Sequence, residues 1–176
     1  ECGCCGTSLL CVCSRHLHCA SAAVRSESPP CSFVHAGYPA CADYEAVLAL
    51  IVAAERLGPR THVGVTATAP GFFGAQGRPI PQLPIRYPDL AEDMARQRVM
   101  NFEMEASALL VLAGLARCRA GVVCAVYAQR TTGAFIAGEA KDAAEASCVG
   151  QGPEALRNPG GRGARQAQGR DGPRAP

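Results

Sequence analysis

Apolar residues recur at Val47, Leu48, Ile51 and Val52, the rhythm of one helix face, and predict a helix from Tyr44 to Leu57. Asp43 stands where an N-cap belongs, and Gly58 follows as a stop. The next run, Thr61 to Thr68 (THVGVTAT), is rich in β-branched residues and reads as a strand. A polar loop with Gly and Pro then spans Ala69 to Tyr87. Pro88 to Gln97 reads as a short helix with proline in its first turn, and Val99 to Asn101 as a short extended piece. From Phe102 to Cys118, Met104, Ala108, Leu112 and Leu115 keep helical spacing. Gly121 to Gln129 (GVVCAVYAQ) is a continuous apolar run with the character of a buried strand. Glu139 to Arg157 reads as a weaker helix, interrupted by Gly150 and Gly152-Pro153, since a mid-helix glycine costs ~1 kcal/mol and a proline ~3 kcal/mol. Strands alternating with helices imply an α/β sheet with helices on its faces.

The flanks differ. Residues 1–31 show neither helical nor strand period and read as an atypical, Cys-rich, disordered extension. Asn158 to Pro176 is Gly, Pro, Arg and Gln without apolar periodicity, too poor in burial to offset its ordering entropy. The chain therefore divides into 1–31, an ordered 32–157, and a disordered tail 158–176.

Composition narrows the function classes. At 176 residues with a formal net charge of +2, the chain offers no case for a nucleic-acid or membrane-surface partner. The excess is local, with five Arg against Glu154 and Asp171 from Gln151 onward, and no aromatics accompany it as an RNA-binding tail would need. No run approaches the ~20 apolar residues of a membrane span. Eight of the eleven cysteines fall between Cys2 and Cys41, beside His16 and His18. Their C-x-C-C and C-x-C spacing lacks the paired arms of a zinc site, so no metal is expected. The odd total and the absence of a secretory signal point to thiols in a reducing cytoplasm.

Three clusters carry chemistry. Phe72-Phe73-Gly74-Ala75-Gln76-Gly77-Arg78 follows a predicted strand, where ligands bind in α/β sheets. A phenyl ring to stack, an amide with donor and acceptor side by side, and a guanidinium to stabilise developing charge together suit a flat heterocycle such as uracil. The same spacing also suits a solvated loop with one anchoring Phe. Asn101-Phe102-Glu103-Met104-Glu105 opens the predicted long helix. Two carboxylates two residues apart cannot share a helix face, so one is free for ribose hydroxyls or both simply favour the helix dipole. Gln129-Arg130-Thr131 ends the buried run, as a site or as a solvated exit.

Taken in order, HVGVTAT, FF-x-x-Q-x-R, VMNFEMEAS and a strand ending QRT resemble the C-terminal half of bacterial uridine phosphorylases, over about Gly37 to Ala146. The V-M-N-[YF]-E-M-E-[SA] motif is characteristic of the nucleoside phosphorylase superfamily. The Q-x-R loop points to pyrimidines. Purine-specific relatives place an Asp near Gln129-Arg130, and none stands here.

The resemblance implies the C-terminal part of a three-layer α/β/α fold with an incomplete central sheet. It implies phosphorolysis of uridine to uracil and ribose 1-phosphate, with inorganic phosphate as co-substrate and no cofactor, and a homo-oligomer as in the family. Phe72 would stack on the base while Gln76 and Arg78 hold it. Met104 and Glu105 would hold the ribose, with Glu103 a lesser contact. Arg130 would support the base loop, and Tyr127 and Ala128 would shape the pocket. Arg78, Glu105 and Arg130 are the candidate catalytic groups. The family's Gly-Asp-Pro-x-Arg phosphate loop has no counterpart, and residues before Ser32 do not resemble the family's first half. The expectation is a truncated or rearranged phosphorylase, inactive alone. The alternatives are a non-catalytic nucleoside-binding remnant or partner subunit, a purine nucleoside phosphorylase, and a metal-binding module built on the N-terminal cysteines.

Overall fold

The computed structural model describes residues 16–26, 32–58, 60–130 and 133–157. Five strands and four α-helices follow in the order β1 (His16–Arg25), β2 (Ala40–Cys41), α1 (Tyr44–Leu57), β3 (Arg60–Thr68), α2 (Leu90–Arg96), β4 (Val99–Glu103), α3 (Ala106–Leu115), β5 (Val122–Ala125) and α4 (Glu139–Arg157).

The strands form one mixed sheet. β1, β3 and β4 are parallel neighbours, and the other edge of β1 takes β2 and β5, both antiparallel. Helices cover both sides. Cys19 packs with Ala49, Leu50 and Ala53 of α1 and Ala155 of α4, whereas Ala23 packs with Ala106, Leu110 and Val111 of α3. Their partners on β3, Val63 and Thr66, are three apart, so the two clusters lie on opposite faces.

The central strand overturns one expectation. β1 lies within the segment read as irregular, yet it is the most connected strand, and Leu17 and Cys19 are almost wholly buried. HLHCASAAVR hides its strand character because a strand covered on both faces need not alternate, and because His, Ser and Ala replace the usual branched residues. A register shift between Ala20 and Ala22 further breaks its period. The domain boundary expected at Ser32 therefore falls after a core strand. The remaining residues of 1–15 and the tail from Asn158 lie outside the described residues, as do the expectations made for them.

Helix α1 begins and ends where the sequence predicts. Asp43 accepts from the Ala46 N–H at 3.0 Å, and Gly58 closes the helix at φ 84°. Its buried face is different: Ala49, Leu50, Ala53 and Ala54 meet the sheet, while Leu48 and Val52 are exposed. The same rotation occurs in α3, where Ala106, Ser107, Leu110 and Val111 are buried and Leu112 and Leu115 face outward. Both helices are apolar nearly all round, so periodicity does not choose a face. The buried sides mix small residues with Leu50, Leu110 and Val111. The helix expected from Phe102 starts only at Ala106, since Phe102 and Glu103 continue β4. The run to Gln129 leaves the sheet after Ala125. Finally, α4 runs unbroken through Pro153. Ala144, Gln151 and Ala155 are buried along it, and Glu154, next to Pro153, pairs with Arg56 of α1 at 3.2 Å.

Candidate functional site

The loop after β3, the end of β4 and the segment from Cys124 to Arg130 line a single cavity of about 480 Å³. Phe72, Gln76, Arg78, Glu103, Met104, Glu105, Tyr127, Ala128 and Arg130 all line it. These nine residues are thus brought to one place, whereas Phe73 and Gln129 of the same clusters do not line it. Thr131 of the third cluster lies outside the described residues. Cys124, Val126 and Phe135 also line the cavity. Phe135 carries no signal in the sequence, because it arrives only when the chain turns back and bridges Ala128.

The segment from Phe72 to Arg78 is built around a turn. Gly74 to Gln76 forms a 3₁₀ turn, and Gly77 closes it at φ 66°, donating its N–H to the Gly74 carbonyl. A Cβ at Gly77 would stand 2.9 Å from the Tyr87 carbonyl oxygen, so glycine is required there on two counts. The turn buries Gln76, at 4% exposed, and presents Arg78 beside it. The Arg78 guanidinium lies over the Phe72 ring, 4.2 Å from its centroid, so that ring supports the arginine as well as facing the cavity.

Arg130 enters from the other side, 5.5 Å from the Phe102 ring centroid. Burial lowers the pKa of both guanidiniums, and for Arg130 the nearby charge of Arg78 lowers it further, against a smaller opposing effect of Glu92. Arg78 Nε and Arg130 Nη1 are buried without a hydrogen-bond partner among the described residues. Two desolvated cations with unfilled donors make a cavity that favours a ligand with carbonyl oxygens or developing negative charge.

The two carboxylates have separate tasks. Glu103 Oε1 accepts the Thr68 hydroxyl, and Oε2 accepts the N–H groups of Glu105, at 2.8 Å, and Ala106. Thr68 Oγ1 in turn accepts the Ser107 N–H at 2.8 Å. Glu103 thus satisfies the first orphan donors of α3 and ties them to β3. Glu105 is exposed, with one oxygen 3.3 Å from the Met104 N–H, and Met104 lies beside it at the cavity wall. Of the pair, Glu105 is the carboxylate open to a ligand.

The far wall is held from α4. Tyr127 donates its hydroxyl to Glu145 at 3.0 Å, and Lys141 pairs with that carboxylate at 3.2 Å. Burial, then the Glu145 contact, pushes the Tyr127 phenol up to about 12. Beyond it the chain closes a turn, with Gln129 N–H on the Ala134 carbonyl and Ile136 N–H on the Tyr127 carbonyl. Burial, with Glu103 adding to it, pushes the Cys124 thiol up to about 12, so it is a neutral, unreactive lining group. Among the described residues, no group of three or more His, Cys, Asp or Glu side chains is arranged to hold a metal ion. No helix there is long and apolar enough to cross a membrane.

Comparison with known proteins gives the family. The model of the phosphorylase superfamily matches residues 2–149. The likeness therefore begins well before Gly37, where the resemblance was expected to start. The chain is 47% identical over 127 residues to the uridine phosphorylase of Thermococcus kodakarensis, covering 71% of this chain and 46% of that protein. It is 35% identical over 114 residues to the uridine phosphorylase of Escherichia coli, covering 63% and 45%. It spans just under half the length of these relatives. With a family model that matches residues 2–149 and a relative 47% identical over 71% of it, the chain belongs to the phosphorylase superfamily.

Proposed function

We propose that the cavity is the nucleoside side of a uridine phosphorylase site, which breaks the N-glycosidic bond of uridine with phosphate to give uracil and ribose 1-phosphate in nucleoside salvage. The observation that carries this reading is the convergence of Gln76 and Arg78 with Glu105 on one cavity. Gln76 pairs with one carbonyl and the ring N–H of uracil, and Arg78 donates to the other carbonyl. As the bond breaks, negative charge grows on the base. Arg78 and Arg130, already desolvated and short of acceptors, are stabilised by that charge more than by neutral substrate, which is the differential binding catalysis needs. Phe72 and Phe135 flank the base, Tyr127 and Ala128 shape its pocket, and Met104 and Glu105 receive the sugar, the carboxylate accepting ribose hydroxyls. Inorganic phosphate is the co-substrate, and no further cofactor enters the reaction.

No phosphate-binding residue is assigned in this chain. Because it spans 46% of its Thermococcus relative, the reading makes it the nucleoside-holding part of a larger site, with activity requiring the remainder, supplied in a homo-oligomer or by a partner chain. A chain that holds nucleoside without turnover is the second reading, and the same fact supports it. Fusing residues 16–157, which keep β1, to the amino-terminal part of the Thermococcus relative, and assaying phosphate-dependent uracil release, separates them. Turnover of uridine well above inosine supports the first. A soluble, folded fusion that binds uridine without turning it over supports the second. A folded fusion that turns over uridine and inosine equally contradicts the assignment of the loop at Gln76 as the uracil reader.

A further inference from the structure

Away from the cavity, three histidines meet inside the sheet. His16 and His18 lie two apart on β1 and so share a side, and His62 stands opposite His18 in register on β3. The His62 ring centroid is 5.1 Å from that of His16 and 5.3 Å from that of His18. His62 Nε2 and His16 Nδ1 are 3.2 Å apart, so one shares a proton with the other only while the pair is not doubly charged. His16 and His18 are both buried, and His18 Nδ1 has no hydrogen-bond partner among the described residues.

The surroundings give a charged cluster no relief. The charges that act on the rings are one another's and that of Arg60, which is opposite His16 in register. From β5, the residue opposite His18 is Cys124, a neutral thiol. β2 meets β1 at Ala22 and Ala23, away from the rings. Of the acidic groups on the helices packed on β1, Glu45 pairs with Arg119, Glu145 with Lys141 and Tyr127, and Glu154 with Arg56 and Arg157, while Glu55, Glu139 and Asp142 are not among the charges that act on the rings.

We propose that His16, His18 and His62 are a proton-operated latch on the β1–β3 pair, closed while the imidazoles are neutral and opened when they take up protons. Neutral rings pack and bury at little cost. Protonated, they set like charges side by side where β1 and β3 begin to pair, with no carboxylate among the described residues hydrogen-bonded to the rings. The strand they would release is the hub of the sheet, paired with β2, β3 and β5. Cys124, opposite His18, also lines the cavity, so opening the latch removes a wall of the site. The inference does not depend on which ligand the cavity takes.

The direction in pH follows from linkage. Burial first, then the neighbouring imidazoles, lower His18 from 6.5 to about 4, and His16 and His62 move the same way. Each folded-state value lies below the unfolded one, so the unfolded chain binds more protons. Stability is full above the unfolded value of about 6.5 and falls as the pH drops toward the folded value. His18 alone should raise the unfolded-to-folded ratio roughly thirtyfold between neutral pH and pH 5.

The test is urea unfolding of the full chain from pH 5 to 8, followed by circular dichroism, with an NMR titration of the imidazole C–H signals of the folded protein. The wild-type protein should lose stability steeply below pH 6.5, and His18→Val should remove about thirtyfold of that loss at pH 5. Identical pH dependence in wild type and His18→Val overturns the proposal. Should the variant not fold, the wild-type NMR decides. His18 titrating below pH 5 supports the latch, and all of His16, His18 and His62 titrating at 6.5 or above overturns it.

Discussion

Thr68 and Glu103 meet across the β3–β4 pair, the Thr68 hydroxyl donating to a Glu103 carboxylate oxygen while its own oxygen takes the Ser107 N–H. One hydroxyl thereby joins two strands to the start of α3 and fixes the turn that carries Met104 and Glu105. Thr68→Val keeps the shape and removes both bonds. It leaves a buried N–H and a carboxylate oxygen unpaired, and we predict a loss of about 1–3 kcal/mol in urea unfolding. Weaker nucleoside binding should accompany it, because Glu105 follows the turn. A Thr68→Ser variant, which keeps the hydroxyl, should retain most of both.

Gly77 lies between Gln76 and Arg78 in a left-handed conformation, with Tyr87 and Leu90 close by. Gly77→Ala should cost at least about 1 kcal/mol from backbone strain alone, and more from the contact with the Tyr87 carbonyl. Ligand affinity should fall further than stability, since the two flanking side chains shift together. Thermal unfolding and ligand titration on the same sample separate the two effects.

On the proposed reading, Arg78 serves a ligand rather than the fold. Its Nε is buried without a partner and its charge works against Arg130. Arg78→Met fills similar volume without the charge. It should leave stability unchanged within about 0.5 kcal/mol or raise it, as substitutions at strained functional sites do, while uridine affinity drops about tenfold or more. A variant destabilised by several kcal/mol, with affinity intact, would place Arg78 in the structural framework instead.

The exposed side of α3 carries Leu109, Leu112 and Leu115, each close to half exposed. Such a stripe favours self-association. Replacing Leu109 and Leu112 with Gln should reduce the sedimentation coefficient or aggregate fraction of the purified chain without lowering its unfolding midpoint by more than a degree or two, since neither packs in the core. A large fall in the midpoint would show that these leucines carry stability.

The sequence made some of this legible and hid the rest for physical reasons. Helix α1 could be read to the residue because Asp43 and Gly58 act locally, through bonds to residues three or four away. The site residues could be gathered because their motifs are short and ordered, although their distances could not. Which face of α1 or α3 is buried was not legible, since Leu48 and Leu112 are as apolar as the residues that win the sheet. β1 was hidden by histidines that look polar and yet are buried against His62, forty-odd residues on. The task of Glu103 is equally non-local, because Thr68 reaches it from another strand.

The central claim is that the Gln76–Arg78 turn reads uracil, and isothermal titration of the full chain with uridine and with inosine at pH 7.5 tests it most directly. Uridine presents two carbonyl oxygens and a ring N–H to Gln76 and Arg78, whereas inosine leaves buried donors unpaired at about 1–3 kcal/mol. The account predicts uridine binding at least about tenfold tighter than inosine, with the difference lost in Arg78→Met. Equal affinities, or a preference for uridine that survives Arg78→Met, would contradict it.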